Sequence, residues 1–354
     1  FLNFWWHTEV KESLNVSLDD YLATEEAVPL EALQRHTFYN DYWRAKAPPL
    51  ENIKVPMLVC ASFSDHELHT FGSFRAYENA GSAQKWLYTH RSGKWTEFYK
   101  PESLSLQKEF MDHFLRGASN RFDTLPSVRV EVRQSRDAVK EVRWEPSWPP
   151  DATSYRTLYL GEGGALVPAL PQDADEVGYD GRRGMVAFDH VFAEDTEVTG
   201  YIKLKVWVEA RGAPGRATPP DDAILCCFID KRDAAGQSVR FYGAVGQSDD
   251  MVTRGYGRAS RRELNTERSR PFHPVLSGLT HQPLAPGQVV PLEIAFCPSS
   301  TFFEQGARLR LILSATDLVH APIFKKETST NRGQHVLHFG GAYDSHLLVP
   351  TLPV

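Results

Sequence analysis

Residues 53–65 read IKVPMLVCASFSD, and residues 84–93 read QKWLYTHRSG. The first is a short, nearly continuous apolar run with a polar exit at Ser62–Asp65, as expected of a strand buried on both faces. The second carries a strand over Gln84–Thr89 and a glycine-containing loop at its C-terminal end, His90–Gly93. Between them, Thr70–Asn79 suits a helix ended by Gly81. After them, Ser103–Leu115 is amphipathic, with Leu106, Phe110, Phe114 and Leu115 on one face and Gly117 suited to the position just past the helix. The order is strand, helix, strand, helix, which implies a parallel sheet. Two strands cannot make a stable α/β domain, so the rest of that sheet must come from elsewhere.

Outward from this stretch the character changes in both directions. Residues 1–48 look helical. Pro29 can open a helix, Leu30, Leu33, Phe38 and Tyr42 fall near helical spacing, and Pro48-Pro49 ends the segment. Its aromatics, including Phe1, Phe4, Trp5, Trp6, Phe38, Tyr39, Tyr42 and Trp43, either line a pocket or pack on a neighbour. From about residue 121 to 354, strands recur with turn signals between them: VRVEVRQ, TLYLG, MVAFDHVF, VTGYIKLKVWVEA, AILCCFIDKRDAAG, VVPLEIAF and ARLRLILSA. Tyr201–Val208 alternates, with Lys203 and Lys205 on one face and Ile202, Leu204, Val206 and Val208 on the other. Such a series argues for a β-sandwich, with a jelly roll as the common solution. The expected fold is therefore the end of an α/β sheet (49–120) after a helical segment (1–48), followed by a jelly-roll β-sandwich domain (121–354).

Composition narrows the function. The chain has 354 residues, 42% of them hydrophobic and 24% charged, close to a globular average. Lys+Arg of 39 against Asp+Glu of 45 gives −6, which does not point to nucleic acid as a partner. No apolar run approaches the roughly 18 residues of a bilayer span, so no membrane partner is expected. Four cysteines (Cys60, Cys226, Cys227 and Cys297) form no C-x-x-C pair. Cys60 and Cys226 sit in apolar runs, so buried free thiols are expected; this suits a reducing compartment, and a cytoplasmic location is the expectation. No metal and no cofactor are expected.

In a doubly wound sheet, functional residues sit just beyond the carboxyl ends of strands. Asp65 holds that place after the first strand and His90 after the second, 25 residues apart. An Asp and a His so placed can meet on adjacent loops at one sheet edge and serve as two members of a nucleophile–His–acid triad, in which the acid orients the imidazole and the imidazole moves the proton. A solvated loop acid and an unrelated histidine would show the same spacing.

The segments IKVPMLVCASFSDHELHT, KWLYTHRSGKW and KEFMDHFLRG resemble the end of the hydrolase domain in the CocE/NonD family, which is related to X-Pro dipeptidyl-peptidases, cocaine esterase and α-amino-acid ester hydrolases. YGRASRREL (256–264), GARLRLILSATD (306–317) and YDSHLLVP (343–350) resemble later stretches of that family, in the same order. The resemblance implies an α/β-hydrolase domain, a helical cap whose tail is residues 1–48, and a C-terminal jelly roll. It implies Asp65 as the triad acid and His90 as the general base. It also implies a small-molecule ester or amide substrate, and a homo-oligomer as one expected state, since family members often self-associate.

The family's nucleophile sits in a G-x-S-x-G elbow, and no serine of this chain lies in that pattern; Gly246-Gln247-Ser248-Asp249-Asp250 fails at the last glycine. The expectation is that nucleophile and oxyanion hole precede Phe1, that the opening FLNFWWHTEV is a break inside the cap, and that the N-terminal part of the same hydrolase is a partner. The resulting reading is a serine hydrolase cleaving ester or amide acyl bonds. X-Pro dipeptidyl-peptidase activity is an alternative, as is a non-catalytic β-sandwich binding or assembly module on a degenerate hydrolase.

Other features have plainer readings. His66-Glu67-Leu68-His69 lacks the H-E-x-x-H spacing of a zinc pair, and His66 directly follows the acid, which disfavours it as the base. Asp230–Gly236 reads as a hairpin turn rather than a calcium loop. The six arginines between 251 and 270 read as a packing segment with Arg–carboxylate pairs. Trp86 and Trp95 flank the His loop, as pocket walls or as packing, and His335, His338 and His346 read as core or surface residues.

Overall fold

The structure is a computed structural model that describes residues 29–66, 68–212, 219–244, 249–318 and 330–353. Phe1, Phe4, Trp5 and Trp6 lie outside the described residues. Two short helices open the described chain, α1 (Pro29–Arg35) and α2 (Asp41–Lys46), with Pro29 at the start as its fixed φ favours. His36 stacks on Tyr42 at 4.1 Å, and Trp43 Nε1 donates to His36 O, so these aromatics pack locally.

β1 (Met57–Ser62) and β2 (Lys85–His90) run parallel in direct register, Met57 opposite Lys85 and Ser62 opposite His90. Helix α3 (Thr70–Asn79) connects them. Two helices follow β2: the short α4 (Lys94–Phe98) and the 16-residue α5 (Pro101–Arg116). Leu106 and Phe110 of α5 are buried with Trp86, Tyr88 and Phe122, while Leu115, expected on that face, lies exposed near the helix end. Gly117 takes φ +67°, and the amides of Gly117 and Ala118 close on His113 O and Asp112 O, a left-handed stop that a side chain with a Cβ resists.

β1 differs from its sequence reading. It is an edge strand, paired to β2 on one side only among the described residues, and most of its length is partly exposed instead of buried. Cys60 is exposed for the same reason, against the expectation of a buried thiol. Cys226, Cys227 and Cys297 are buried, and all four thiols are free.

β3 (Val128–Arg133), read above as the first strand of the β-rich zone, pairs parallel with β2 through Leu87–Val128 and Tyr88–Arg129. It then pairs antiparallel with β4 (Val139–Glu145). The sheet beside β1 therefore has four strands, two of them supplied by the chain just past residue 120.

The remaining strands, among them β5 (Ser154–Gly161), β6 (Ala165–Val167), β7 (Asp175–Asp180) and β12 (Ser238–Val239), form a β-sandwich. On one side β10 (Lys203–Arg211) is central: β14 (Val289–Ala295) pairs along one edge, and β17 (Gln334–Phe339) and β18 (His346–Leu352) share the other. On the other side β11 (Ile224–Arg232) lies between β13 (Thr253–Arg258) and β16 (Arg308–Ser314), and β8 (Met185–Val191) extends the sheet beyond β16. The core between them joins Leu204, Val206, Val208 and Leu347 from the first sheet to Leu225, Leu309 and Leu311 from the second. The alternation read in β10 holds: Leu204, Val206 and Val208 are buried and the two lysines reach outward to Glu293 and Asp344.

VTGYIKLKVWVEA is two strands, β9 (Thr196–Gly200) and β10, because Gly200 adopts φ +135° between them. β15 (Ser299–Phe303) pairs with β9 and touches β3 at Thr301–Arg133, so hydrogen bonding is continuous from the α/β part into the sandwich. Asp233–Gly236 is a hairpin turn, with Asp233 N donating to Gln237 O. Among the described residues no helix is long and apolar enough to cross a membrane.

Candidate active site

Beyond Ser62 the β1 ladder gains one more bond, Phe63 N to His90 O at 2.8 Å, and the chain then turns sharply. Asp65 O accepts from the amides of Leu68, His69 and Thr70, and Thr70 Oγ1 donates to Ser62 O at 2.8 Å. The turn delivers the chain into α3 and leaves the Asp65 carboxylate at the carboxyl end of the sheet.

Asp65 and His90 line one groove of about 540 Å³, bounded by the free edge of β1, the near side of α3 and Lys94. Both side chains are largely buried. Within the groove they are not joined. Asp65 Oδ2 lies 3.5 Å from Lys94 Nζ and 3.9 Å from His69 Nε2. Asp65 Oδ1 is buried without a hydrogen-bond partner. His90 Nδ1 instead lies 3.0 Å from Ser92 O. A carbonyl oxygen only accepts, so Nδ1 carries the proton and Nε2 presents the lone pair, the tautomer a general base requires. Burial pushes the His90 pKa down, against the raising influence of Glu97 and Glu131, which favours the neutral imidazole.

Three features here were not legible in the sequence. Ser92 O is a hub, facing His90 Nδ1, Ser62 Oγ at 3.4 Å and Ser64 Oγ at 3.3 Å. Glu97 is buried beside it and accepts from Tyr88 OH (2.7 Å), Ser92 Oγ (2.6 Å) and Lys100 Nζ (2.6 Å). Burial alone would raise the Glu97 pKa, but these three donors hold it down to about 2. Arg91, next to His90, donates to Glu131 of β3 from both its backbone amide and its guanidinium. No motif marks Glu97, since its partners span residues 88–103 and meet only when β2, its loop, α4 and the start of α5 fold together.

The remaining candidates fall elsewhere. His66 turns away from the groove and is fully buried against Asp250, Nδ1 to Oδ2 3.5 Å, with its pKa lowered by burial. His69 is largely exposed. Trp86 packs with Phe110, Phe114 and Phe122, and Trp95 is 70% exposed; neither lines the groove. In the arginine-rich stretch, Arg254 pairs with Asp250, Arg258 with Asp222, and Arg270 reaches Glu78 of α3 at 3.3 Å, as a packing segment would. His335 is buried beside Tyr179 OH, its pKa lowered by burial to about 4. Among the described residues the cluster best suited to a metal is Glu176, Glu209 and His338, yet the Arg211 guanidinium bridges both carboxylates and already supplies the countercharge.

Similarity to known proteins follows the same outline. Two crystal structures of a CocE/NonD family hydrolase from Staphylococcus aureus superpose with TM-scores of 0.85 and 0.86 at 32% and 33% identity, covering 92% of this chain and 59% of theirs. An aminopeptidase from a marine-sediment Thaumarchaeota archaeon superposes at TM-score 0.67 over 95% of this chain and 64% of its own; at 16% identity it shows a shared fold. A Mycobacterium bovis protein that carries the name serine esterase is 23% identical over 253 residues, 60% of this chain and 36% of that protein. The chain thus spans about a third of its mycobacterial relative and three-fifths of the staphylococcal one. Residues 120–348 match the X-Pro dipeptidyl-peptidase C-terminal non-catalytic domain. With that domain over most of its length and the staphylococcal hydrolase's fold around it, the chain belongs to the CocE/NonD-like X-Pro dipeptidyl-peptidase family.

Proposed function

We propose that this chain supplies the acid and the general base of a serine hydrolase that cleaves ester or amide acyl bonds, with Asp65 and His90 as two members of a Ser-Asp-His triad. The serine and the oxyanion hole come from sequence preceding residue 1, the N-terminal part of the same hydrolase. β1 and β2 are then late strands of its α/β-hydrolase sheet, which β3 and β4 continue, residues 1–48 are the tail of its cap, and the sandwich is its jelly roll.

One observation carries the reading: Asp65 and His90 leave adjacent parallel strands at the same sheet edge, in one groove that opens along the unpaired side of β1. An unpaired edge of this kind is where a further strand adds to a sheet. The neutral Nδ1–H tautomer of His90 leaves Nε2 free to take a proton from an incoming serine hydroxyl. The imidazolium so formed needs an anionic partner. The Asp65 carboxylate, in the same groove, supplies that negative charge. Serine attack on the acyl carbon breaks the ester or amide bond, the departing alcohol or amine takes the proton from His90 Nε2, and water activated by His90 then hydrolyses the acyl-enzyme to the free acid and serine.

The hydrolase with its preceding sequence tests this. A serine-reactive phosphonate labels it, and Asp65→Asn and His90→Ala each lower turnover at least ~10³-fold. Turnover near wild type in either variant removes that residue from the triad. The match of residues 120–348 to a non-catalytic domain favours a second reading, an assembly module without activity. Absence of phosphonate labelling in the longer protein would select it.

A further inference from the structure

Beyond its own local hydrogen bonds, the turn that presents Asp65 is gripped by residues of the sandwich and of β3. Arg133, at the end of β3, is fully buried and donates through Nη1 to Phe63 O at 3.3 Å. Its other donors go to Ser300 O, Val252 O, Ser299 Oγ and Thr301 Oγ1, oxygens of the sandwich, so it ties the turn to that domain. Three residues after Phe63 the His66 ring is buried against Asp250, whose Oδ2 also pairs with Arg254. Cys297 closes the third side, its Sγ 3.7 Å from His66 O. Asp65 lies between the two gripped residues and points the opposite way, into the groove.

Resting on the reading of Asp65 as the acid, we infer that Arg133, Asp250 and Cys297 position it, gripping Phe63 and His66 so that the carboxylate is fixed toward His90. The domain described as non-catalytic then sets the geometry of the catalytic acid. A buried guanidinium with all three nitrogens hydrogen-bonded has few alternative arrangements, and the residues it grips inherit that rigidity. A displacement of a catalytic group by about 1 Å can cost 10²-fold in rate, so loosening this grip falls on turnover.

His66→Ala is the direct test, because Asp250 keeps Arg254 as its partner and no buried charge is stranded. In the hydrolase with its preceding sequence, kcat should fall about 10- to 100-fold with KM within about twofold. In an Asp65→Asn background the same change should add no further loss, whereas a merely structural role would add its own. His66→Asn, whose amide nitrogen takes the place of Nδ1 facing Asp250, should recover most of the rate. Cys297→Ala, which removes only the thiol contact, should show a smaller fall with the same lack of additivity. Wild-type kcat in both His66→Ala and Cys297→Ala, or full additivity with Asp65→Asn, overturns the inference. Amide hydrogen exchange separates the two readings. Faster exchange over residues 63–70 in His66→Ala, with β11 and β16 unchanged, supports the grip even if Asp65→Asn is fully active and the triad reading fails. Unchanged exchange there overturns the grip whatever the activity.

Discussion

The sandwich and the sheet around β1 bury different things. Between its two sheets the sandwich holds one continuous apolar core, and its central strands β10, β11 and β16 are flanked on both sides. The α/β part has two smaller apolar clusters, one under α3 and one under α5. Around them it buries Asp65, His66, His90, Glu97, Arg129, Glu131 and Arg133. Apolar burial is non-directional and tolerates many arrangements, while each buried polar group demands a particular partner. The sandwich buries charge too, at Asp230, Lys231, Asp250 and Arg254, but its apolar core is far larger, and the contact between the two parts lends that stability to the α/β part. β1 marks the limit of that support, since its outer edge has no partner among the described residues.

Core truncations should expose the contrast most strongly. Leu311→Ala, in the fully buried centre of β16, is expected to cost roughly 3–5 kcal/mol in urea unfolding. Leu58→Ala, on the half-exposed edge strand, should cost about 1–2 kcal/mol. Equal losses would mean that β1 is as well buried as the sandwich. Acid should act next, in the α/β part through Glu97. The Glu97 carboxyl is depressed to about 2, so its stabilisation is complete above its ordinary value near 4.5 and is lost as pH falls through about 2. Unfolding followed between pH 5 and 2 should therefore steepen in the wild type and flatten in Glu97→Gln; parallel curves would show that the buried network contributes nothing. The smallest effect is chemical. A thiol reagent should modify Cys60 in the native chain and spare Cys226, Cys227 and Cys297, with all four reacting in denaturant. Native reaction at Cys227 or Cys297 would contradict the closed core.

Local order was readable wherever periodicity and punctuation agree. Helix α3 occupies the predicted Thr70–Asn79, α5 exceeds its predicted span by a few residues, and Gly117 stops it with the positive φ expected of it. The β10 alternation predicted which side chains enter the core. Asp65 and His90 were nameable because the parallel-sheet rule puts function at strand ends, and the structure sets both in one groove. What they touch was not readable. Lys94 and Ser92 O stand where a direct Asp–His bond was expected, and Glu97 had no signature.

The amino-acid sequence by itself determined which segments are helix and which are strand, and which residues leave the strand ends. These follow from neighbours a few positions apart, through the 3.6- and 2-residue repeats. Tertiary structure decided that β3 joins β2, that β1 stays an edge with Cys60 exposed, and that His66 enters the sandwich while Asp65 faces the groove. Each of these depends on a partner far along the chain, Asp250 for His66 and Ser299–Thr301 for Arg133, whose proximity no local pattern encodes.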